Sequence, residues 1–97
     1  MADRPQRLDD QTVSERLAGL SGWTREGDEI RKSFERSGFP AAIAFVVQVG
    51  FLAEQANHHP DIDVRWRTVD LALTTHDAGG LSTLDFDLAA RIDEAAG

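Results

Sequence analysis

Three histidines, His58, His59 and His76, are the residues of this chain whose type and placement could do chemistry. Imidazole changes charge near neutral pH and serves as a general acid or base. His58 and His59 stand together before Pro60, at the end of a long predicted helix, and His76 ends the best predicted strand. The chain between them is long enough to run out and back as a hairpin, so His76 could return beside the other two. A helix C-terminus favours the protonated form of His58, whereas burial at a strand end would push His76 the other way. That pairing would supply one acid and one base at a single pH, with a two-limbed pH–rate profile. Simpler readings exist: a histidine before proline at a helix end can serve as a C-cap. A three-histidine metal site is disfavoured, because adjacent residues seldom both reach one metal and no fourth carboxylate is obviously placed. With no Cys in the chain, disulfides, zinc–thiolate sites and thiol nucleophiles are excluded together.

The elements that must position these residues can be read in order. Asp9 or Asp10 can cap a first helix in which Val13, Leu17 and Leu20 recur at helical spacing, and Gly19 with Ser21-Gly22 ends it. Two short runs, Trp23–Arg25 and Glu29–Phe34, flank a turn at Gly27 and predict a hairpin. Its alternation is imperfect, since Lys32 falls between Ile30 and Phe34 on one face. Pro40 suits the first turn of a second helix, predicted from about Pro40 to Asn57. The apolar residues of that helix cover more than one face, which predicts one side on a sheet and another at a subunit contact. A second strand pair follows around Ile62–Trp66 and Thr68–Thr75, with Val69, Leu71 and Leu73 on the core side. If that strand is continuous, Trp66 shares the parity of Asp70 and faces away from the core, free to cover a ligand or a subunit contact. The simpler reading of both Trp23 and Trp66 is as core residues rather than as a ligand platform. Ser82 caps a last helix carrying Leu84, Leu88 and Ile92, and Asp85 sits where the helix dipole favours a carboxylate.

The order α-β-β-α-β-β-α predicts an α+β fold of two layers, a four-stranded, mostly antiparallel sheet with helices on one face. The other sheet face is left for solvent, partner or ligand. Residues 1–8 read as a flexible polar start and 9–97 as a single domain. A chain of 97 residues buries a modest share of its surface and gains from oligomerisation. Its net charge of -7 argues against direct nucleic-acid contact and against anionic membranes. The apolar stretch Ala41–Ala53 is broken by Gln48 and reads as too short to span a bilayer. The polar start has no apolar core of a secretory signal, so a cytoplasmic location is expected.

The spaced set Glu54-x3-His58-His59-Pro60-x5-Trp66-x9-His76-x8-Asp85 resembles the signature of the pterin-4a-carbinolamine dehydratases. Flanking pieces fit as well: Gly22-Trp23, Phe39-Pro40, Thr75-His76-Asp77 and Gly80-Leu81-Ser82. The resemblance covers roughly residues 10–95. It implies dehydration of 4a-hydroxytetrahydrobiopterin to quinonoid dihydropterin and water, without metal or organic cofactor. It implies His58 and His76 as the acid–base pair, with His59 mainly binding the pterin. Asn57, Thr75 and Asp77 flank these positions as candidates to hydrogen-bond the pterin, Glu54 to orient a histidine and Trp23 to close the site. For Asp85 the resemblance leaves a pure helix-start role as the favoured reading. It further implies a homodimer or homotetramer and a functional link to a pterin-dependent aromatic amino-acid hydroxylase. Animal members also bind a transcription factor, and the same head group occurs in other pterin pathways such as molybdopterin metabolism.

Overall fold

In the computed structural model, which describes residues 4–97, the first helix starts where a side chain can satisfy its free N–H groups. Asp9 accepts the Thr12 N–H at 2.8 Å, and α1 runs over Asp10–Ala18. Gly19 closes it, its N–H returning to Arg16 and Leu17. Strands β1 (Thr24–Glu26) and β2 (Glu29–Glu35) form the expected hairpin about Gly27, whose φ of 60° suits a residue without a side chain. The misplaced Lys32 has a physical answer. It lies on the core face, but its stem runs outward beneath Gly22, and its ammonium group donates to Ser21 O at 2.8 Å and Asp93 Oδ1 at 2.9 Å.

Helix α2 spans Phe39–Ala56 and meets the expectation closely, with Pro40 in its first turn. One face sends Ala42, Phe45, Val49 and Ala53 into the core, while Phe39, Ile43, Val47 and Phe51 stay exposed on the other. The whole helix, 18 residues at mean hydropathy 1.4, is long and apolar enough to cross a bilayer by length and composition, a test that the core helix of a folded domain also passes. Its packed face is nonetheless part of this domain's core. Strands β3 (Asp61–Arg65) and β4 (Thr68–Leu73) follow, then a single 3-10 turn at His76–Ala78, and α3 over Thr83–Ala96.

The sheet order is β1-β2-β4-β3 with every neighbouring pair antiparallel. Helix α2 carries the chain across the sheet to the far edge, and the β3–β4 hairpin then brings β4 back beside β2. Ile30, Phe34, Val69, Leu71 and Leu73 point from the sheet into one apolar cluster with Phe45, Val49, Phe86, Leu88 and Ile92 of the helices. Three helices thus lie on one face, and the opposite face is left open, as expected. Trp66 departs from its expectation. The chain reverses at Trp66-Arg67, so Trp66 occupies the turn, with φ at 56° and 86% exposure, and strand parity does not apply to it. Of the polar start expected over 1–8, residues 1–3 lie outside the described residues, and Leu8 packs against the core with its N–H donated to Leu81 O at 2.8 Å.

Candidate active site

The register explains why the histidine-bearing segments share one end of the sheet. Ile30 pairs with Leu73 and Asp61 pairs with Ala72. The continuation of β4, Thr74-Thr75-His76, therefore passes between the β1–β2 turn on one side and the His58-His59-Pro60 connection on the other. That connection is set by the end of α2. Asn57 takes the left-handed conformation (φ 50°, ψ 43°), and the His58 N–H turns back to Ala53 O at 3.0 Å. Asparagine tolerates this region better than most side-chain-bearing residues.

His58 turns inward and is 8% exposed. Its Nε2 lies 2.6 Å from Oδ1 of Asp85, a carboxylate with no exposed surface. An ionised carboxylate only accepts, so Nε2 carries the hydrogen. The other ring nitrogen, Nδ1, has no protein partner among the described residues; as no buried polar side-chain atom there is unsatisfied, Nδ1 opens to solvent. The second oxygen of Asp85, Oδ2, accepts from Thr75 Oγ1 at 2.8 Å and from the Ser82 N–H at 2.9 Å. Ser82 Oγ lies 2.7 Å from Thr75 Oγ1 and accepts the Leu84 N–H at 3.2 Å. Ser82 and Asp85 together form a capping box at the start of α3. The expectation that Asp85 is a helix-start residue alone is therefore corrected. One oxygen caps α3 and the other orients His58, because the helix start is packed directly beneath the end of α2.

The other expected residues distribute around this buried network. His59 is exposed, and its Nε2 lies 3.1 Å from Glu54 Oε1, one turn back on α2. His76 is exposed as well, since β4 ends at Leu73 and the burial argument for a strand-end histidine does not hold. It lines a cavity of about 380 Å³ with Glu26, Asp28, Glu29, Thr74 and the Gly79-Gly80 pair. His58 and His59 do not line that cavity; His58 connects to His76 through Asp85 and Thr75, whose side chain binds Asp85 while its neighbour His76 opens outward. Asn57 and Asp77 are exposed beside these histidines in the chain. Trp23 is 4% exposed, sits edge-on to Phe34 with ring centroids 6.0 Å apart, and donates from Nε1 to Asp93 at 3.1 Å. Its ring is thus taken up by the core rather than offered to a ligand. A larger concavity of about 700 Å³ lies on the open sheet face, and no histidine lines it. Among the described residues no group of three or more His, Cys, Asp or Glu converges as a metal site.

Fold and site together define a small α+β protein with a buried His58–Asp85 pair at one end of its sheet and two exposed histidines nearby. Comparison with known proteins makes this specific. The family described as pterin 4 alpha carbinolamine dehydratase matches residues 6–95. A relative from Roseiflexus sp. (strain RS-1), named a pterin-4-alpha-carbinolamine dehydratase, is 67% identical over 88 residues, which is 91% of this chain and 95% of that one. One of the same name from Chloroflexus aurantiacus (strain ATCC 29366 / DSM 635 / J-10-fl) is 57% identical over 94% of this chain and 98% of its own. Among solved structures, the transcriptional coactivator/pterin dehydratase from Brucella melitensis superimposes with a TM-score of 0.91 at 32% identity, over 95% of this chain and all 100% of that one. The fold alone, at 22% identity and a TM-score of 0.64, is shared over 77% of this chain and 87% of the other with a pterin dehydratase-like protein that is a RuBisCO assembly factor in the alpha-carboxysome. The chain belongs to the pterin-4-alpha-carbinolamine dehydratase family, an enzyme family of the hydro-lyase class.

Proposed function

We propose that this protein dehydrates 4a-hydroxytetrahydrobiopterin by histidine acid–base catalysis, as a step in tetrahydrobiopterin recycling. The observation that carries the reading is the 2.6 Å contact between His58 Nε2 and buried Asp85, which leaves Nδ1 free to exchange a proton. The reaction breaks the C4a–O bond and the N5–H bond and forms the C4a–N5 double bond. One group must give a proton to the departing hydroxyl, which leaves as water, and another must take the proton from N5. His58 Nδ1 takes the N5 proton, with Asp85 held as the partner of the charged ring, as carboxylates do for histidine bases elsewhere. His76 delivers the proton to the leaving oxygen from its cavity. His59, steadied by Glu54, contacts the pterin, with Asn57, Thr75 and Asp77 contributing hydrogen bonds beside it. No step calls for a metal or an organic cofactor.

The test follows decay of the carbinolamine absorbance in a reaction coupled to a pterin-dependent aromatic amino-acid hydroxylase. His76→Ala should lose about 10²–10⁴-fold in turnover, the usual worth of one positioned acid or base. His59→Ala should chiefly raise KM. Wild-type dehydration by both variants would sink the assignment.

A second reading concerns assembly, and it is favoured by the exposed row Phe39, Ile43, Val47 and Phe51 on α2. These side chains form a contiguous apolar stripe of the kind that soluble monomers seldom leave bare. The protein is a homodimer or homotetramer joined through this face, at work in the cytoplasm beside its hydroxylase.

A further inference from the structure

The loop that carries His76 is closed at its neck by two backbone bonds. The Thr75 N–H donates to Gly80 O at 3.1 Å, and the Gly80 N–H donates to Thr75 O at 3.3 Å. On its β1–β2 side, Thr74 Oγ1 donates to the Asp28 carbonyl at 2.5 Å. The remaining side is covered by the segment before α1. Leu8 is tied to Leu81 by a backbone bond of 2.8 Å, and Arg7 beside it lies across buried Gly80. A Cβ placed on Gly80 would stand 2.9 Å from Arg7 Nε and 3.3 Å from its Cδ. The guanidinium then reaches Asp28, with Nη2 3.5 Å from Oδ1. Asp28 thus holds Thr74 through its carbonyl and Arg7 through its carboxylate, and Gly80 gives Arg7 the room to lie there.

We propose that Arg7 is a positioning residue for His76, clamping the neck of the Thr75–Gly80 loop to the β1–β2 turn. The inference rests on the reading above in which His76 transfers a proton. Arg7 and Asp28 are both more than half exposed, so their ion pair adds little to global stability. Its effect is local. A catalytic group displaced by about 1 Å can lose up to about 10²-fold in rate.

Gly80 makes the proposal testable by a double-mutant cycle. Its φ lies outside the left-handed region, so alanine is allowed by the backbone, and the three nearest atoms to an added Cβ all belong to Arg7. Arg7→Ala and Gly80→Ala should each lower kcat by roughly tenfold, change KM little, and move the thermal midpoint by no more than about 2 °C. Both should speed amide hydrogen exchange at Thr75 and Gly80. The double variant should be no worse than Arg7→Ala alone, because removing Arg7 removes the three atoms nearest to the new methyl group. Wild-type exchange and kcat in Arg7→Ala, or fully additive losses in the double variant, would overturn the clamp. Exchange needs no turnover, so it decides the clamp even if His76→Ala proves active and the acid–base reading fails.

Discussion

Asp85 shows how much one side chain can do when its two oxygens face different elements. Burying a carboxylate is expensive unless it is hydrogen-bonded. Here Oδ2 receives the Ser82 N–H and Thr75 Oγ1, Oδ1 receives His58, and the start of α3 contributes its positive dipole end. The same bonds that make burial tolerable fix the imidazole. Asp85→Asn keeps the size but places an N–H₂ against the Ser82 and Thr75 donors or against His58. It should cost about 1–3 kcal/mol in urea or thermal unfolding. It should also lower kcat while leaving KM for the pterin nearly unchanged, since His58 loses its orientation and His59 does not. An Asp85→Asn enzyme with wild-type kcat would show that the network serves folding alone. The sequence announced Asp85 as a helix start, and that was half of its role. The direction of Oδ1 depends on α2 ending directly above it, which no local spacing encodes.

At the scale of the element, the ends of helices decide where chemistry stands. Asn57 stops α2 in the left-handed conformation, and this single turn sends His58 inward and His59 out. Glycine adopts that conformation freely, whereas a β-branched residue does not. Asn57→Gly should therefore retain stability and kcat, while KM for the pterin rises with the loss of the Asn57 side chain. Asn57→Val should lose about 1–3 kcal/mol and most of the turnover together, as read by thermal melts and the carbinolamine assay. The start of α1 gives a pH-dependent counterpart. The Thr12 backbone N–H, helped by the Thr12 side chain, holds the Asp9 carboxyl below its ordinary value. A carboxyl whose folded value is depressed stabilises above its unfolded value, and that contribution disappears as pH falls through the folded one. Fraying of α1 should thus set in below about pH 4, seen as faster exchange at the Thr12 amide. Asp9→Asn, which caps without ionising, should make that amide insensitive to acid.

At the scale of the whole molecule, topology and surface each carry a consequence. The crossover through α2 places β4 between β2 and β3, so one end of the central strand meets a hairpin turn on one side and the end of a helix on the other. The exposed row on α2 lies opposite Ala42, Phe45, Val49 and Ala53, which hold the helix to the sheet. Charges placed on that row should therefore break association and spare the fold. Val47→Asp combined with Phe51→Asp should sediment as a folded monomer with native circular dichroism, against an oligomer for the unaltered chain. An unchanged sedimentation coefficient would overturn the proposed association through this row.

Periodicity, caps and breakers are local, and they were legible in the chain itself. The two periods of apolar residues, Pro40 at a first turn, Ser82 before α3 and the Gly27 turn define the elements, and the spaced histidines define the family. Pairwise contacts between distant segments were not legible. Strand parity put Trp66 off the core, where it is, but its premise of a continuous strand fails, because a two-residue reversal removes Trp66 from the pleat altogether. Trp23 read from the chain as a core residue and is one, but its partners Phe34 and Asp93 were not legible. His76 was expected to be buried, and it became exposed because β4 ends three residues earlier. Residue type and spacing in the chain single out His58, His59 and His76 as the candidates for proton transfer. That His58 is the buried and bonded one follows from the packing of two helix ends, which brings Asp85 within hydrogen-bond distance of it.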